Sequence, residues 1–414
     1  MSIFHLALRN LLHRPWTTAL SLILAALGTG LISLILLLNW QLEQQFDRHL
    51  AGIDLVVGAK GSPLQLMMSS MYHISSPTGN VPVAGVKPFL NPAHPYIEIA
   101  VPLSLGDSYR GRRIVGTRQA FLDLYQAELA QGEMWTQPME VVAGATAARE
   151  LGLKIGDSFR SSHGLIEDDD LTHRDAPEFW VTGILKPSGT VADLILLTPA
   201  ESLWAVHDTH SHEGEEHGKE HVYDVTAPLG DYADRSITSV LIRFRGNSIT
   251  ALNMQRSINE NTEMQAVTPT IQLAELYATM GQGEKILRQL GYVVVGVSVL
   301  SIFIGLYSSL DRRRGELALL RSLGAGPPKL FGLLVLEGTV TAVAGAVLGL
   351  LVSHAGLAII ARYFAENYRY DFRTLVFLPE EWWLLAGALV VGLVAAAVPA
   401  YRASRTDVHK TLAG

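Results

Sequence analysis

The sequence contains no cysteine. Disulfides and thiolate metal centres are therefore excluded, and either side of a bacterial membrane remains open. Charge is also scarce. Only 17% of the 414 residues are Asp, Glu, Lys or Arg, against about 25% in ordinary soluble proteins. The net charge of -7 comes without a strongly basic stretch, so the footprint of a nucleic-acid binder is missing. A phosphate-cradling loop of the form G-x-x-x-x-G-K-[ST] is missing too. Its nearest approach, Gly324-Ala-Gly-Pro-Pro-Lys329, has the wrong spacing and no following Ser or Thr.

What is abundant is apolar sequence, 49% of the chain, gathered in four runs. Residues 15–42 carry no charge and 20–38 are almost wholly apolar, with Trp16 and Trp40 at the ends. The others cover 289–310, 330–361 (interrupted by Glu337 and His354) and 382–401. About 20 such residues span a bilayer, and Trp favours its interfaces. Arg9 and Arg14 before the first run also suit a signal peptide. The run is long for one, however, and no small-x-small cleavage site follows, so an uncleaved anchor is expected. Gly338, Gly345 and Gly349 would let neighbouring helices approach closely.

Basic residues near the spans predict orientation. Arg9 and Arg14 precede the first span. Arg312, Arg313, Arg314, Arg321 and Lys329 lie between the second and third, and Arg402, Arg405 and Lys410 follow the fourth. All three regions are expected in the cytoplasm, which puts both termini inside and 41–286 outside. Three parts follow: 1–40 with an amphipathic helix and the first span, 41–286 as an extracytoplasmic domain, and 287–414 with the other three spans.

The outer part reads as mixed α/β. Strands are expected at 96–101, 140–143, 179–185, 194–197 and 239–244. Helices are expected at 118–128, 145–151 and 249–259. Residues 41–50 would continue the first span and 271–286 would lead back into the second, despite Gly281 and Gly283, as two stalk helices.

Several stretches carry a resemblance. They are Leu6-Ala-Leu-Arg-Asn-Leu-Leu12, Asp311-Arg-Arg-Arg-Gly-Glu-Leu-Ala-Leu-Leu-Arg-Ser-Leu-Gly-Ala325, Glu337 with Gly345 and Gly349, and Pro399-Ala-Tyr-Arg-Ala-Ser-Arg-Thr-Asp407. In the outer part they are 141–159, with Gly156-Asp157, then 179–199 and Val57-Gly-Ala-Lys-Gly-Ser-Pro-Leu-Gln65. Together they resemble the MacB/FtsX-type ABC transporter permeases, the group that includes the lipoprotein-releasing LolC and LolE subunits. The resemblance implies an integral membrane α-helical fold with four transmembrane helices and a mixed α/β extracytoplasmic domain of MacB periplasmic-domain type. It implies a bacterial inner (plasma) membrane location, a second permease as homodimer or heterodimer partner, and a periplasmic partner protein. MacB carries its ATPase on the same chain. This sequence is similar instead to relatives whose ATP-binding subunit is separate, so ATP is expected on that subunit and no catalysis here. Movement rather than a wide pore would couple hydrolysis to the outer domain. The substrate stays open among lipoprotein, peptide, macrolide-like molecule and metal-linked cargo.

The basic connection supplies candidate coupling residues. Leu317, Leu320 and Leu323 form an apolar ridge, with Arg312, Arg313, Arg314, Glu316 and Arg321 as polar contacts. By composition alone it is either a topology-fixing loop or a helix that docks on a motor; the resemblance favours docking. Glu337 is a charge inside a span, which is costly and faces protein or water. It lies two turns from Lys329, so a structural pairing with a nearby base is expected.

One tract is unusual. His207, His210, His212, His217 and His221 alternate with carboxylates, a composition suited to a divalent transition metal such as zinc, or to a merely solvated loop. His163, Asp168, Asp169, Asp170 and His173 form a weaker second cluster. His217-Gly-Lys-Glu-His221 fits the metalloprotease pattern H-x-x-E-H, but Gly214 and Gly218 oppose the firm helix that chemistry needs. A membrane-anchored metallohydrolase, and an FtsX-like scaffold regulating a periplasmic hydrolase, are the alternatives to transport.

Overall fold

The computed structural model describes residues 3–13, 15–163, 177–208, 223–246, 249–313, 315–316, 321–322, 324–367 and 374–405. The chain divides into two compact units, Met1–Gln44 with Ala278–Gly414, and Gln45–Tyr277.

Four of the described helices are long and apolar enough to cross a membrane: Pro15–Gln44, Pro269–Leu310, Pro327–Tyr363 and Pro379–Ser404. Each begins at proline, whose missing N–H falls where no intrahelical acceptor exists and whose fixed φ suits a first turn. The first helix continues to His49 and the second runs unbroken from Pro269 to Arg312. Gly281 and Gly283 do not interrupt it, because a helical glycine costs only about 1 kcal/mol relative to alanine. A shorter helix, Ile3–Leu12, precedes them. It buries Ala7 and Asn10 and leaves Phe4, Leu8 and Leu12 exposed, the pattern of a helix lying in a bilayer interface.

Lipid gives apolar side chains no reason to associate, so close backbone packing must hold these helices together. A Cβ on Gly349 would lie 2.6 Å from the Ala26 carbonyl oxygen, and one on Gly392 would lie 2.5 Å from Thr339 Cα. The third helix therefore packs backbone to backbone on the first and on the fourth.

The outer unit is built on one long strand. The strands in chain order are β1 Leu55–Ala59, β2 Val81–Pro82, β3 Ile97–Tyr109, β4 Arg112–Thr117, β5 Leu129–Gly132, β6 Glu140–Ala143 and β7 Ser158–Phe159. They continue with β8 Ser162–His163, β9 Phe179–Leu185, β10 Leu196–Pro199, β11 Ser236–Ile237, β12 Ser239–Phe244 and β13 Met264–Val267. The main sheet has the order β13-β1-β12-β3-β4-β10-β6-β9-β5, with β7 on β9 and β8 on β3, while β11 and β2 form a separate pair. Among the described residues, β4 with β10 and β6 with β9 run parallel and the other pairs antiparallel. β3 pairs β12 over 97–103 and β4 over 104–109, so it belongs to both halves of the sheet.

Alternation sets the cores, since successive strand residues face opposite sides. Val56, Val101, Leu103 and Leu241 pack on one face with Leu66 and Met67 of the Pro63–Ser70 helix and with Met71, which caps it. Leu55, Val57, Val240 and Ile242 pack on the other with Trp204 and Ile258. A third core gathers Ile114, Val141, Phe179 and Leu196 with Leu203 and Val206 of the Ala200–Asp208 helix.

Segments 140–143, 179–185, 239–244 and 145–151 form the elements their patterns suggest. The helix expected over 118–128 is shorter, Ala120–Tyr125, because Gln126 turns left-handed at φ 51° and ends it. The strand expected at 194–197 starts two residues later. Asp193 takes backbone N–H bonds from Ser188 and Gly189 and holds Val191–Leu194 in a 3-10 turn.

Candidate functional site

The membrane unit has a polar cluster where the connection between the second and third helices begins. Glu337 lies nearly three turns inside the third helix and is buried. Its Oε1 accepts the side-chain amide of Asn10 at 2.5 Å, and Arg313 Nη1 lies 3.8 Å away. Arg313 also donates to Asn10 Oδ1 and, at 2.7 Å, to Glu316. Arg313, Asn10 and Glu337 thus form one donor-to-acceptor chain joining the connection, the Ile3–Leu12 helix and the third span. A buried carboxylate is tolerable only with such partners. A small cavity of about 40 Å³ beside it, lined by Asn10, Ser21, Ser309, Glu337 and Thr341 together with Leu11, Ile302 and Leu306, has room for a water molecule.

Of the other coupling candidates, Arg312 is exposed and donates to Ser308 Oγ at 2.8 Å. Glu316 is exposed and Arg321 partly buried. Arg314, Leu317, Leu320 and Leu323 lie outside the described residues.

The same unit holds a second polar cluster that the sequence reading did not single out. Glu381, fully buried at the start of the fourth helix, accepts from Ser33 Oγ at 2.6 Å and from the Leu378 N–H at 3.0 Å. His354 Nε2 lies 3.3 Å from its Oε1, and Ser353 bonds Ser33 at 2.7 Å. The charge that interrupts the apolar composition is again matched by a partner on another helix.

In the outer unit, His207 closes the Ala200–Asp208 helix. Its side chain is 45% exposed, and its Nε2 lies 3.5 Å from Oδ1 of Asp107, a fully buried residue of β3. The other oxygen of Asp107 accepts from Ser161 Oγ at 3.2 Å. The next residue, Asp208, is gripped by Arg235 through two bonds of 2.7 and 2.8 Å and by the Tyr223 hydroxyl at 2.5 Å. Burial, then the Asp208 hydrogen bond, hold the Tyr223 phenol above its ordinary pKa. The ends of the histidine tract are therefore fastened to each other. His210, His212, His217 and His221, like Asp168, Asp169, Asp170 and His173, lie outside the described residues. Among the described residues no three metal-ligating side chains converge.

A cleft of about 720 Å³ also opens in this unit, with Lys87, Arg118 and Asp231 in its wall. Arg118 donates to Ala227 O at 3.0 Å and pairs with buried Glu201. Desolvation raises the Glu201 carboxyl above its usual range, with Arg118 opposing the shift.

Residues 290–408 match the family model described as the FtsX-like permease C-terminal. Residues 18–255 match the MacB-like periplasmic core domain, more than half of the chain. The chain belongs to the MacB/FtsX-type permeases. Such a permease is a component of ABC-type systems, and four apolar helices with a periplasmic-type domain agree with it. The periplasmic region of MacB from Actinobacillus actinomycetemcomitans is 12% identical, with 54% of this chain and 94% of that one covered and a TM-score of 0.33. The extracellular domain of the noncanonic ABC-type transporter YknZ from Gram-positive bacteria is 11% identical, with 52% and 99% covered and a TM-score of 0.27. Comparison with curated proteins gave no match.

On the permease, Glu337 and the whole basic connection fall inside the FtsX-like match, and Asp107 and His207 inside the MacB-like one. Asn10 precedes both. Its role was hidden in the sequence because an Asn on an amphipathic helix looks like one more polar-face residue. Asp107 was hidden because its strand passes through Pro102 and Gly106, which read as a strand end.

Proposed function

We propose that this permease works with an ATP-binding subunit on a separate chain and passes that subunit's movement to its own outer domain. The observation that carries the proposal is the Arg313–Asn10–Glu337 chain. It ties the first residues of the basic connection to two other helices by buried polar contacts, so a push on the connection is delivered to the third span rather than lost in a loose loop. The first and second helices, unbroken over Pro15–His49 and Pro269–Arg312, are the rigid elements through which the movement continues. ATP hydrolysis then belongs to the partner, and this chain is its non-catalytic membrane subunit, acting as a pair of permeases. The basic regions beside the spans support an orientation with both termini and the connection in the cytoplasm and the large domain in the periplasm.

The tract from His207 to His221 adds ligands for a divalent transition metal such as zinc, which makes metal-linked cargo the substrate class its composition favours. The test of the coupling reading is reconstitution of the permease with an ABC ATP-binding subunit of its host in lipid nanodiscs. ATP hydrolysis should rise when the permease is present. Equal hydrolysis with and without it contradicts the proposal.

A further inference from the structure

The Ile3–Leu12 helix shows two exposed rows at the four-residue spacing that stacks side chains on one face. One row is apolar: Phe4, Leu8 and Leu12. The row beside it holds His5, Arg9 and, just past the helix end, His13. A helix lying in a bilayer interface sets such rows at two depths, the apolar one among acyl chains and the cationic one among headgroups. His13 folds back on the helix, with Nδ1 3.1 Å from the Arg9 carbonyl oxygen. The Arg9 guanidinium has no carboxylate partner among the described residues.

The apolar row also borders a groove of about 310 Å³. Leu8 and Leu12 form one wall, Ala19 and Leu22 of the first helix the second, and Val340 and Ala344 of the third helix the last. Thr18 and Thr341 line it too, but their hydroxyls donate to the carbonyls of Leu11 and Glu337 at 3.1 and 2.8 Å. The groove therefore offers a hydrocarbon surface with its hydroxyls already satisfied. Leu11, Thr18 and Thr341 line both this groove and the small cavity beside Glu337. A chain lodged in the groove thus touches side chains that also border the Asn10–Glu337 bond.

We propose that the groove is a phospholipid site in the leaflet that holds the N terminus. One acyl chain lies between the Ile3–Leu12 helix and the first and third spans, and Arg9 binds the headgroup phosphate. Three features name this occupant: the groove lies on helices that are long and apolar enough to cross a bilayer, its surface suits hydrocarbon, and a cation stands in the adjoining row. A guanidinium grips phosphate through two parallel hydrogen bonds. With no described carboxylate to neutralise Arg9, the site favours an anionic headgroup such as phosphatidylglycerol over a zwitterionic one. The bound lipid fastens the helix that carries Asn10. The site depends neither on coupling to an ATPase nor on the histidine tract.

The test uses the purified full-length permease in detergent, titrated with phosphatidylglycerol or phosphatidylcholine of equal chain length and read by native mass spectrometry. The wild type should bind phosphatidylglycerol about fivefold more tightly, the effect of one cation at an anionic surface. Arg9→Gln should bring the two affinities together. Ala19→Phe and Ala344→Phe fill the groove from different walls, and each should weaken both lipids at least fivefold. Arg405→Gln removes an exposed cation at the end of the fourth helix and should change neither. Thermal unfolding without added lipid checks the fold of every variant, and one folded Phe variant is enough. Equal affinity of the wild type for the two lipids means annular lipid only and overturns the site. A preference that survives Arg9→Gln, or that Arg405→Gln abolishes as well, overturns the role of Arg9. Unchanged binding in a folded Phe variant overturns the groove.

Discussion

Asn10 donates its side-chain amide to Glu337 at 2.5 Å across 327 positions of sequence, and takes a hydrogen bond from Arg313 on its other side. One amide thereby serves a carboxylate and a guanidinium together, which lets an acidic residue sit nearly three turns inside an apolar helix. Glu337→Ala should lower the thermal unfolding midpoint in detergent, since removing one partner of a buried pair costs roughly 3–5 kcal/mol. Glu337→Gln retains an acceptor for Asn10 and should cost less. A Glu337→Ala protein that unfolds with the wild type would show that the cluster does not hold these helices together.

Close packing in the membrane unit predicts a contrast between two glycines. A Cβ on Gly349 would meet the Ala26 carbonyl at 2.6 Å, whereas one on Gly387 meets nothing within 4 Å. Gly349→Ala should destabilise by about 1–3 kcal/mol, the usual cost of overpacking, and Gly387→Ala should be neutral. Thermal unfolding of the two variants side by side reads the difference. Equal effects would mean that the third and first helices do not depend on backbone contact.

Orientation is open to a direct check because the natural chain has no cysteine to remove. Single cysteines at Ser322 and Ser211 should react with a membrane-impermeant maleimide from opposite sides, Ser322 only after the inner membrane is opened. Labelling of both from the same side would overturn the arrangement with cytoplasmic termini.

The spans were legible because 20 consecutive apolar residues have few alternative uses, and Glu337 stood out because charge there is costly. Its partners were not legible, since nothing local links Asn10 to a residue on the third span. In the outer unit, β4 escaped notice because it opens with two arginines, which usually mark surface. Both are buried here. Arg112 reaches the Leu194 carbonyl and Glu150, and Arg113 reaches the carbonyls of His73 and Ser75. Desolvation lowers Arg113 to about 10. Composition pointed to the histidine tract, but Asp107 and the clasp of Asp208 by Arg235 and Tyr223 arise only when distant strands pair.

The central claim is that the basic connection docks on a separate ATPase, and stimulated ATP hydrolysis by the reconstituted pair tests it most directly. Leu320, on the apolar ridge and outside the described residues, is the probe, because an unpartnered charge buried in a contact is strongly unfavourable. Arg312→Ala is the control, since Arg312 is exposed and bonded only to Ser308 among the bonds described above, and an exposed charge is worth about 0–1 kcal/mol. Leu320→Asp should insert normally, lose association with the ATPase and lose most of the stimulated hydrolysis, while Arg312→Ala retains both. A correctly inserted Leu320→Asp permease that binds and stimulates the ATPase like the wild type would contradict the account.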